Sequence, residues 1–192
     1  MRRLSILFAA LLVLGMAPKG FSQAMTIGAS GEVAPPMGSF GSAANLGFGA
    51  TAYLEMSKSE TRSFYGRLGY LVWSGKKIAN VSASSNFSAI PAMVGGKTYF
   101  GKGSTRFFAT GEAGIHLFRI KSKVVVTNPI TGQVLSSSST SASSAKLSVA
   151  PGAGVEFGGA TKFIVSARFN YVTSGLSYLG LRIGAVFGGA RR

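Results

Sequence analysis

The chain has 192 residues, no cysteine, and 20 basic against 5 acidic side chains, which gives a net charge of +15. Without cysteine, disulfides cannot stabilise an exported domain. The basic charge first suggests nucleic acid, but no lysine-rich helix or basic–aromatic cluster accompanies it. Composition therefore excludes a disulfide scaffold and argues against a nucleic-acid partner. The mean hydropathy of +0.33 with only 13% charged residues is typical of strands that face lipid.

The first residues have the features of a secretory signal peptide. Two arginines at positions 2 and 3 precede an apolar run through about Ala17, and the motif SQA, a small-x-small cleavage site, follows. The apolar run is shorter than the roughly 20 residues that a membrane-spanning helix needs. We therefore predict a signal peptide over 1–24, cleaved after Ala24, and a single domain over 25–192.

Eight segments of the predicted mature chain alternate apolar residues with polar residues or glycine. A period of two with one wholly apolar face is the pattern of a β-strand between two different solvents. Each segment is near the 9–11 residues that a tilted strand needs to cross the hydrocarbon. The segments are 26–34, 46–56, 63–73, 87–100, 106–118, 145–157 and the two halves of the hairpin 163–187.

The connectors between these segments alternate in length. Bacterial outer-membrane barrels have short turns on the periplasmic side and long loops outside. The sequence therefore predicts an all-β fold, an eight-stranded antiparallel up-and-down transmembrane β-barrel. The short connectors are 57–62, 101–105 and 158–161, the long ones are 35–45, 74–86 and 119–144, and 172–177 is the one short external loop.

Two local features refine this prediction. Pro91 lies inside the fourth segment, and proline cannot donate to a ladder, so we expect a local break there. In the longest loop, KVVVTNPITGQVL predicts a hairpin that continues above the membrane and turns at 128–132. The serine-rich stretch that follows, 136–144, is of low complexity and is predicted to be mobile.

The charged residues within the segments share the inward parity. Opposite charges inside a barrel that is just wide enough for its side chains should neutralise one another as ion pairs. We therefore predict a plugged interior built on Glu32, Glu55, Arg67, Lys97, Glu112, Lys146, Glu156, Arg168 and Arg182.

The remaining basic residues fall at the two rims, where they can pair with the phosphates of lipid head groups. Outer-membrane lipid and lipopolysaccharide are thus the expected partners, and solvated loop charge is the alternative for the outer set. The predicted periplasmic set is Lys58, Arg62, Lys102, Arg106, Lys162, Arg191 and Arg192; the outer set is Lys76, Lys77, Arg119, Lys121 and Lys123.

Three stretches carry a resemblance to a known family. GEAGIHLF (111–118), APGAGVEF (150–157) and YLGLRIGAVF (178–187) resemble the small eight-stranded outer-membrane β-barrels of the OmpA and OmpX type, a porin-like group. The resemblance implies an outer-membrane location for the whole mature chain. An aromatic residue ends many such barrels and marks the last strand for assembly, whereas here Phe187 is followed by GGARR.

The sequence contains few of the residue combinations that form catalytic sites. His116 is the only histidine, and the chain lacks aspartate and cysteine, which excludes a Cys-His nucleophile, an Asp-His dyad and a multi-histidine metal site. A Ser/His/Glu site with Glu112 stays formally open, but no serine lies in a nucleophile motif. We expect no enzyme and no cofactor. The inward aromatics Tyr53, Tyr65, Trp73 and Tyr99 are expected to fill the barrel and not to hold a ligand.

Three classes of function remain open. The leading hypothesis is a monomeric structural or interaction barrel, whose external loops contact surfaces or other envelope components. The second is a narrow conduit for small or apolar solutes. The third is a soluble secreted barrel that binds a lipid inside, which would require the apolar face of the closing hairpin to point inward.

Overall fold

The computed structural model describes residues 25–76, 83–101, 103–127, 134–159 and 161–188. The predicted signal peptide, the hairpin turn at 128–132 and the basic residues Lys77, Lys102, Arg191 and Arg192 lie outside these residues. The strands are β1 (Met25–Ala34), β2 (Ala44–Ser57), β3 (Arg62–Gly75), β4 (Ala83–Phe100), β5 (Thr105–Thr127), β6 (Val134–Gly158), β7 (Lys162–Val172) and β8 (Tyr178–Phe187). A short helix, α1 (Gly38–Ala43), follows β1, and a 3₁₀ turn, Thr173–Gly175, follows β7.

The eight strands form a closed antiparallel up-and-down barrel, as predicted. Each strand pairs with its neighbours in sequence, and β1 pairs with β8, so no edge is left open. We call the end with the short connectors 58–61, 101–104 and 159–161 the turn end, and the opposite end the loop end. No described helix is both long and apolar enough to cross a membrane.

The alternation of the sequence becomes an apolar outer wall and a polar, aromatic interior. In β1, for example, Ile27 and Val33 are exposed while Ser30 and Glu32 are buried. The predicted parity is confirmed in all eight strands, including β8, where Ile183 is 70% exposed and Arg182 only 2%. The apolar face of the closing hairpin therefore points outward, which contradicts the hypothesis of a barrel that binds lipid inside.

Three strands rise beyond the barrel at the loop end. β5 runs to Thr127 and β6 starts at Val134, and the described ladder between them ends with Thr127 paired to Val134. The prediction of a mobile segment over 136–144 is wrong, because these residues continue β6 in register with 118–126. Backbone hydrogen bonds hold an antiparallel pair whatever its side chains, and β4 adds a third strand from Ala83.

The expected break at Pro91 is confirmed on one side of β4. The ladder to β3 passes from Leu68–Ala92 to Leu71–Ala89, so two pairs are missing around the proline while the register is kept. The ladder to β5 is continuous there and includes Pro91 opposite His116. Because proline has no N–H to donate, Pro91 interrupts the ladder to one neighbouring strand and leaves the ladder to the other intact.

Glycines face the largest interior side chains across the sheet. Gly28 pairs with Tyr53, and a Cβ added to Gly28 would lie 2.1 Å from Tyr53 Cζ, so the ring occupies the space above the glycine. We expect Gly28→Ala to lower the free energy of unfolding by about 1–3 kcal/mol, because the ring must move within a packed interior.

The matched control for this change lies on the same strand. An added Cβ at Gly31 meets nothing within 4 Å, so Gly31→Ala should change the free energy of unfolding by less than about 0.5 kcal/mol. Urea titration in lipid vesicles measures both. Equal stabilities for the two variants would contradict the packing of Tyr53 over Gly28.

Candidate functional site

Four charged side chains meet at the centre of the barrel, one from each odd-numbered strand. Glu112 accepts hydrogen bonds from Arg67 Nε at 2.9 Å and Nη2 at 2.6 Å, from the Tyr65 hydroxyl at 2.5 Å, and from Arg168 Nη1. Glu32 Oε2 lies 3.4 Å from Arg168 Nη2 and 3.8 Å from Arg67 Nη1. All four charged side chains are fully buried. Two carboxylates therefore balance two guanidinium groups and connect β1, β3, β5 and β7.

A second ionic cluster lies toward the turn end and joins the even-numbered strands β2, β4 and β6. Lys97 Nζ donates to Glu55 Oε2, and Glu55 Oε1 accepts from Ser63 Oγ at 2.7 Å. The Tyr99 hydroxyl lies between two carboxylates, 2.7 Å from Glu55 Oε1 and 3.0 Å from Glu156 Oε2. The ammonium of Lys97 also lies 5.1–5.9 Å from the ring centroids of Tyr53, Tyr65, Tyr99 and Phe108, so aromatic faces replace its lost hydration.

Two basic residues that the sequence assigned to the rim complete this cluster. Arg106 Nη2 lies 3.2 Å and Lys162 Nζ 2.9 Å from Glu156 Oε1. Both side chains are partly exposed at the turn end. Both residues share the inward parity of Phe108 and Ile164, and Arg106 is the register partner of Glu156, so their assignment to the rim alone is incomplete.

Two of the nine predicted interior charges have no carboxylate partner within 4 Å in the described ranges. Arg182 is buried, but its Nε lies 3.4 Å from Ser166 Oγ and its guanidinium lies 5.0 Å from the centroid of the Tyr53 ring. Lys146 is only half-buried near the loop end, and its Nζ donates to Ser174 Oγ at 2.9 Å. The prediction that both would form ion pairs is therefore wrong. Glu32 is the register partner of Arg182 between β1 and β8, but its carboxylate contacts Arg67 and Arg168 instead.

Aromatic side chains close the loop end of the interior. Phe40 of α1 is 2% exposed and packs edge-on against Trp73, Phe87 and Phe118, with centroids 5.3–6.3 Å apart. Trp73 Nε1 donates to the carbonyl oxygen of Ala34 at 2.7 Å. Trp73 lies in the interior, as its parity predicts, whereas the sequence predicts only a loop over 35–45. A single aromatic residue in a glycine- and serine-rich stretch is too weak a signal to predict a plugging helix.

His116 belongs to this aromatic plug. Its Nε2 lies 2.8 Å from the Tyr178 hydroxyl, and its ring stacks on Phe118 with centroids 5.9 Å apart. The side chain is fully buried. Within the described residues no serine hydroxyl is hydrogen-bonded to His116, so the geometry does not assemble the formally open Ser/His/Glu arrangement.

The raised sheet at the loop end carries a basic outer face. Arg119, Lys121 and Lys123 of β5 are exposed and share the parity of the lipid-type residues Ile115 and Leu117 below them. We call these three residues the cationic ladder. Their register partners on β4 are Ser88, Asn86 and Ser84, and those on β6 are Ser143, Ser141 and Ser139.

Comparison with solved structures identifies the fold. The structure is similar to Neisserial surface protein A, with a TM-score of 0.52 and 18% identity over 85% of this chain and 96% of that one. It also matches Ail, the attachment invasion locus protein of Yersinia pestis, with a TM-score of 0.49 and 16% identity over 87% of this chain and 96% of that one. No protein-family model matches the chain, and neither does any curated protein. The chain thus has the fold of the small eight-stranded outer-membrane β-barrels.

Proposed function

We propose that this protein is an outer-membrane β-barrel whose closed interior conducts no solute and whose loop end presents an interaction surface to the outside. It is a structural and interaction protein without a catalytic role. The outer wall, the filled interior and the charge of the loop end each support one part of this proposal.

The observation that carries the proposal is the height of the apolar outer wall. On each of the adjacent strands β4, β5 and β6, the exposed face is uncharged over eleven residues, which are ten steps along the strand, at 90–100, 107–117 and 147–157. At about 3.3 Å per residue and a tilt of about 40°, this band is about 25 Å tall, the height of the lipid-facing band in outer-membrane barrels. No outward-facing position of the other five strands carries a charge within the same band.

Aromatic residues mark both edges of this band. Such girdles sit at the two membrane interfaces of transmembrane barrels, where the rings meet the head groups. The exposed girdle at the turn end comprises Phe64, Phe100, Phe107, Phe157, Phe163 and Phe187, and that at the loop end comprises Phe48, Tyr70, Phe169 and Tyr171.

The interior supports a closed barrel. From the turn end to the loop end, the cluster around Lys97, the central cluster around Glu112 and the plug around Phe40 follow one another along the axis, and the three residues that name them are buried. An ion that crossed would have to separate buried ion pairs, which costs about 3–5 kcal/mol for each broken pair. Eight strands leave an interior that side chains fill, so we propose a structural role for the lumen.

The absence of a catalytic role rests on the surroundings of His116. The ring is enclosed by Phe118 and Tyr178 beneath α1, so a substrate would have no approach from the outside without unpacking the plug. We therefore propose that His116 serves the packing and hydrogen bonding of the interior.

Membrane fractionation tests the proposal. Cells that express the full chain should hold the protein in the outer-membrane fraction after carbonate extraction. An unheated sample should migrate faster in electrophoresis than a heated one, because a closed barrel resists detergent unfolding. Recovery in the soluble periplasmic fraction, or equal migration of both samples, would count against an outer-membrane barrel.

A further inference from the structure

We infer that the cationic ladder binds the phosphates of a phosphorylated glycolipid in the leaflet from which the raised sheet emerges. This inference rests on the proposed function, since it requires the barrel to span the membrane with its loop end outside. It adds the binding site and the chemistry of the partner.

Charge at the loop end is not balanced by the protein. The chain has five acidic side chains: Glu32, Glu55, Glu112 and Glu156 are buried in the barrel, and Glu60 lies in a turn-end connector. The loop end therefore carries basic side chains without any acidic one. Successive residues of the ladder lie about 7 Å apart along one strand face, within the screening distance of about 8 Å in physiological salt, so they repel one another. A bound polyanion would offset this repulsion.

The position of the ladder favours a membrane lipid over a soluble polyanion. Arg119 follows Leu117, the last apolar residue of the lipid-facing band on β5, and shares its parity. Each further step of two residues rises about 5 Å along the membrane normal. Arg119 therefore lies at the level of the head groups, while Lys121 and Lys123 lie at the level of the sugars above them, and all three point sideways over the lipid.

The neighbours of the ladder suit a phosphorylated sugar. Arg119 lies between Ser88 and Ser143 in register, and Lys121 lies between Asn86 and Ser141. Hydroxyl and amide groups donate and accept hydrogen bonds, so they match sugar hydroxyls on both sides of a phosphate held by the basic residue. Arginine can in addition bind a phosphate through two parallel hydrogen bonds.

The test compares two double variants of the folded protein in detergent micelles. Lys121→Gln with Lys123→Gln removes two charges from the ladder, and Lys58→Gln with Arg62→Gln removes two exposed charges from the turn end. The probe is fluorescent lipid A with two phosphates. At about 1 kcal/mol for each basic residue near an anionic surface, we expect the ladder variant to bind about 30-fold more weakly and the control to bind within twofold of the parent.

Further arms identify the source of the phosphate groups. Monophosphoryl lipid A should bind more weakly than the bisphosphorylated form, and soluble dextran sulfate should bind more weakly than either. Unchanged binding of lipid A by the ladder variant would overturn the inference. So would dextran sulfate that binds more tightly than lipid A and loses that affinity in the ladder variant, because the site would then serve a soluble polyanion.

Heat-modifiable migration of each sample separates the two proposals. If heated and unheated samples of the parent migrate equally, the parent does not form a compact barrel and the proposed function fails. If the parent is heat-modifiable and the ladder variant binds lipid A unchanged, only the glycolipid site fails. Because both lysines are exposed, the single variants Lys121→Gln and Lys123→Gln provide a graded loss should the double variant fold poorly.

Discussion

Replacing Glu112 by glutamine should lower the free energy of unfolding by about 3–5 kcal/mol, the cost of breaking a buried ion pair from one side. Glu112 accepts from Arg67, Arg168 and Tyr65, and the variant would leave two buried guanidinium groups facing Glu32 alone. The loss of stability is measured by urea titration of the barrel in lipid vesicles, with heat-modifiable migration as the readout of the folded fraction.

The chain provides a matched control for Glu112→Gln. Glu60 is exposed in a turn-end connector, so Glu60→Gln should change the free energy of unfolding by less than about 0.5 kcal/mol. Adding Arg67→Met to Glu112→Gln should recover part of the loss, since one uncompensated buried charge is then removed. A loss below about 1 kcal/mol for Glu112→Gln would contradict a central role for this carboxylate.

Replacing Trp73 by alanine should lower the free energy of unfolding by about 3–5 kcal/mol, the usual cost of removing a buried indole. Trp73 contacts Phe40 and Tyr178 with ring centroids 5.3 Å away, stacks on Phe118 and donates to Ala34. The cavity would lie beneath α1, because Phe40 rests on the indole. The same urea titration measures the effect.

Trp73→Phe separates packing from hydrogen bonding at this site. Phenylalanine keeps an aromatic ring in the plug but leaves the carbonyl of Ala34 without its donor, which should cost about 1–3 kcal/mol. If Trp73→Ala were no more destabilising than Trp73→Phe, the indole would not support the plug.

The fold could be predicted from the sequence because two different solvents act on every strand. Each outward position, such as Ile27 or Ile183, must suit lipid, while each inward position, such as Glu32 or Arg168, must suit a polar interior. This difference shows which side chains of a strand face outward and which face inward, even when the neighbouring strands are unknown. The serine-rich continuation of β6 has no alternation of apolar and polar residues, so the sequence does not predict that it is a strand. Backbone hydrogen bonds to β5 hold it in the sheet.

Ion pairing was harder to predict, because parity gives the face of a residue but not the direction in which its side chain extends across the barrel. Arg168 and Arg182 lie on adjacent strands with the same inward parity. Arg168 contacts both Glu32 and Glu112, whereas Arg182 lies beside Ser166 and Tyr53. Glu32 is the register partner of Arg182, yet its carboxylate contacts Arg67 and Arg168. Which arginine it contacts depends on how side chains meet across the closed barrel, and this cannot be derived from a single strand.

The plug at the loop end shows another limit of sequence patterns. Helix α1 has six residues, GSFGSA, with one large apolar side chain and no helical periodicity. Its position depends on tertiary contacts: Phe40 packs on Trp73, and Lys76 Nζ donates to the carbonyl of Gly41 at 2.6 Å. Contacts between distant parts of the chain leave no local signal.

Electrical recording in planar bilayers tests the closed interior most directly. The folded protein should insert, as shown by its heat-modifiable migration in the same preparation, and should give no discrete conductance steps, because buried ion pairs and the aromatic plug fill the lumen. Reproducible steps in most insertions of the parent protein would contradict a closed interior and would favour a narrow conduit.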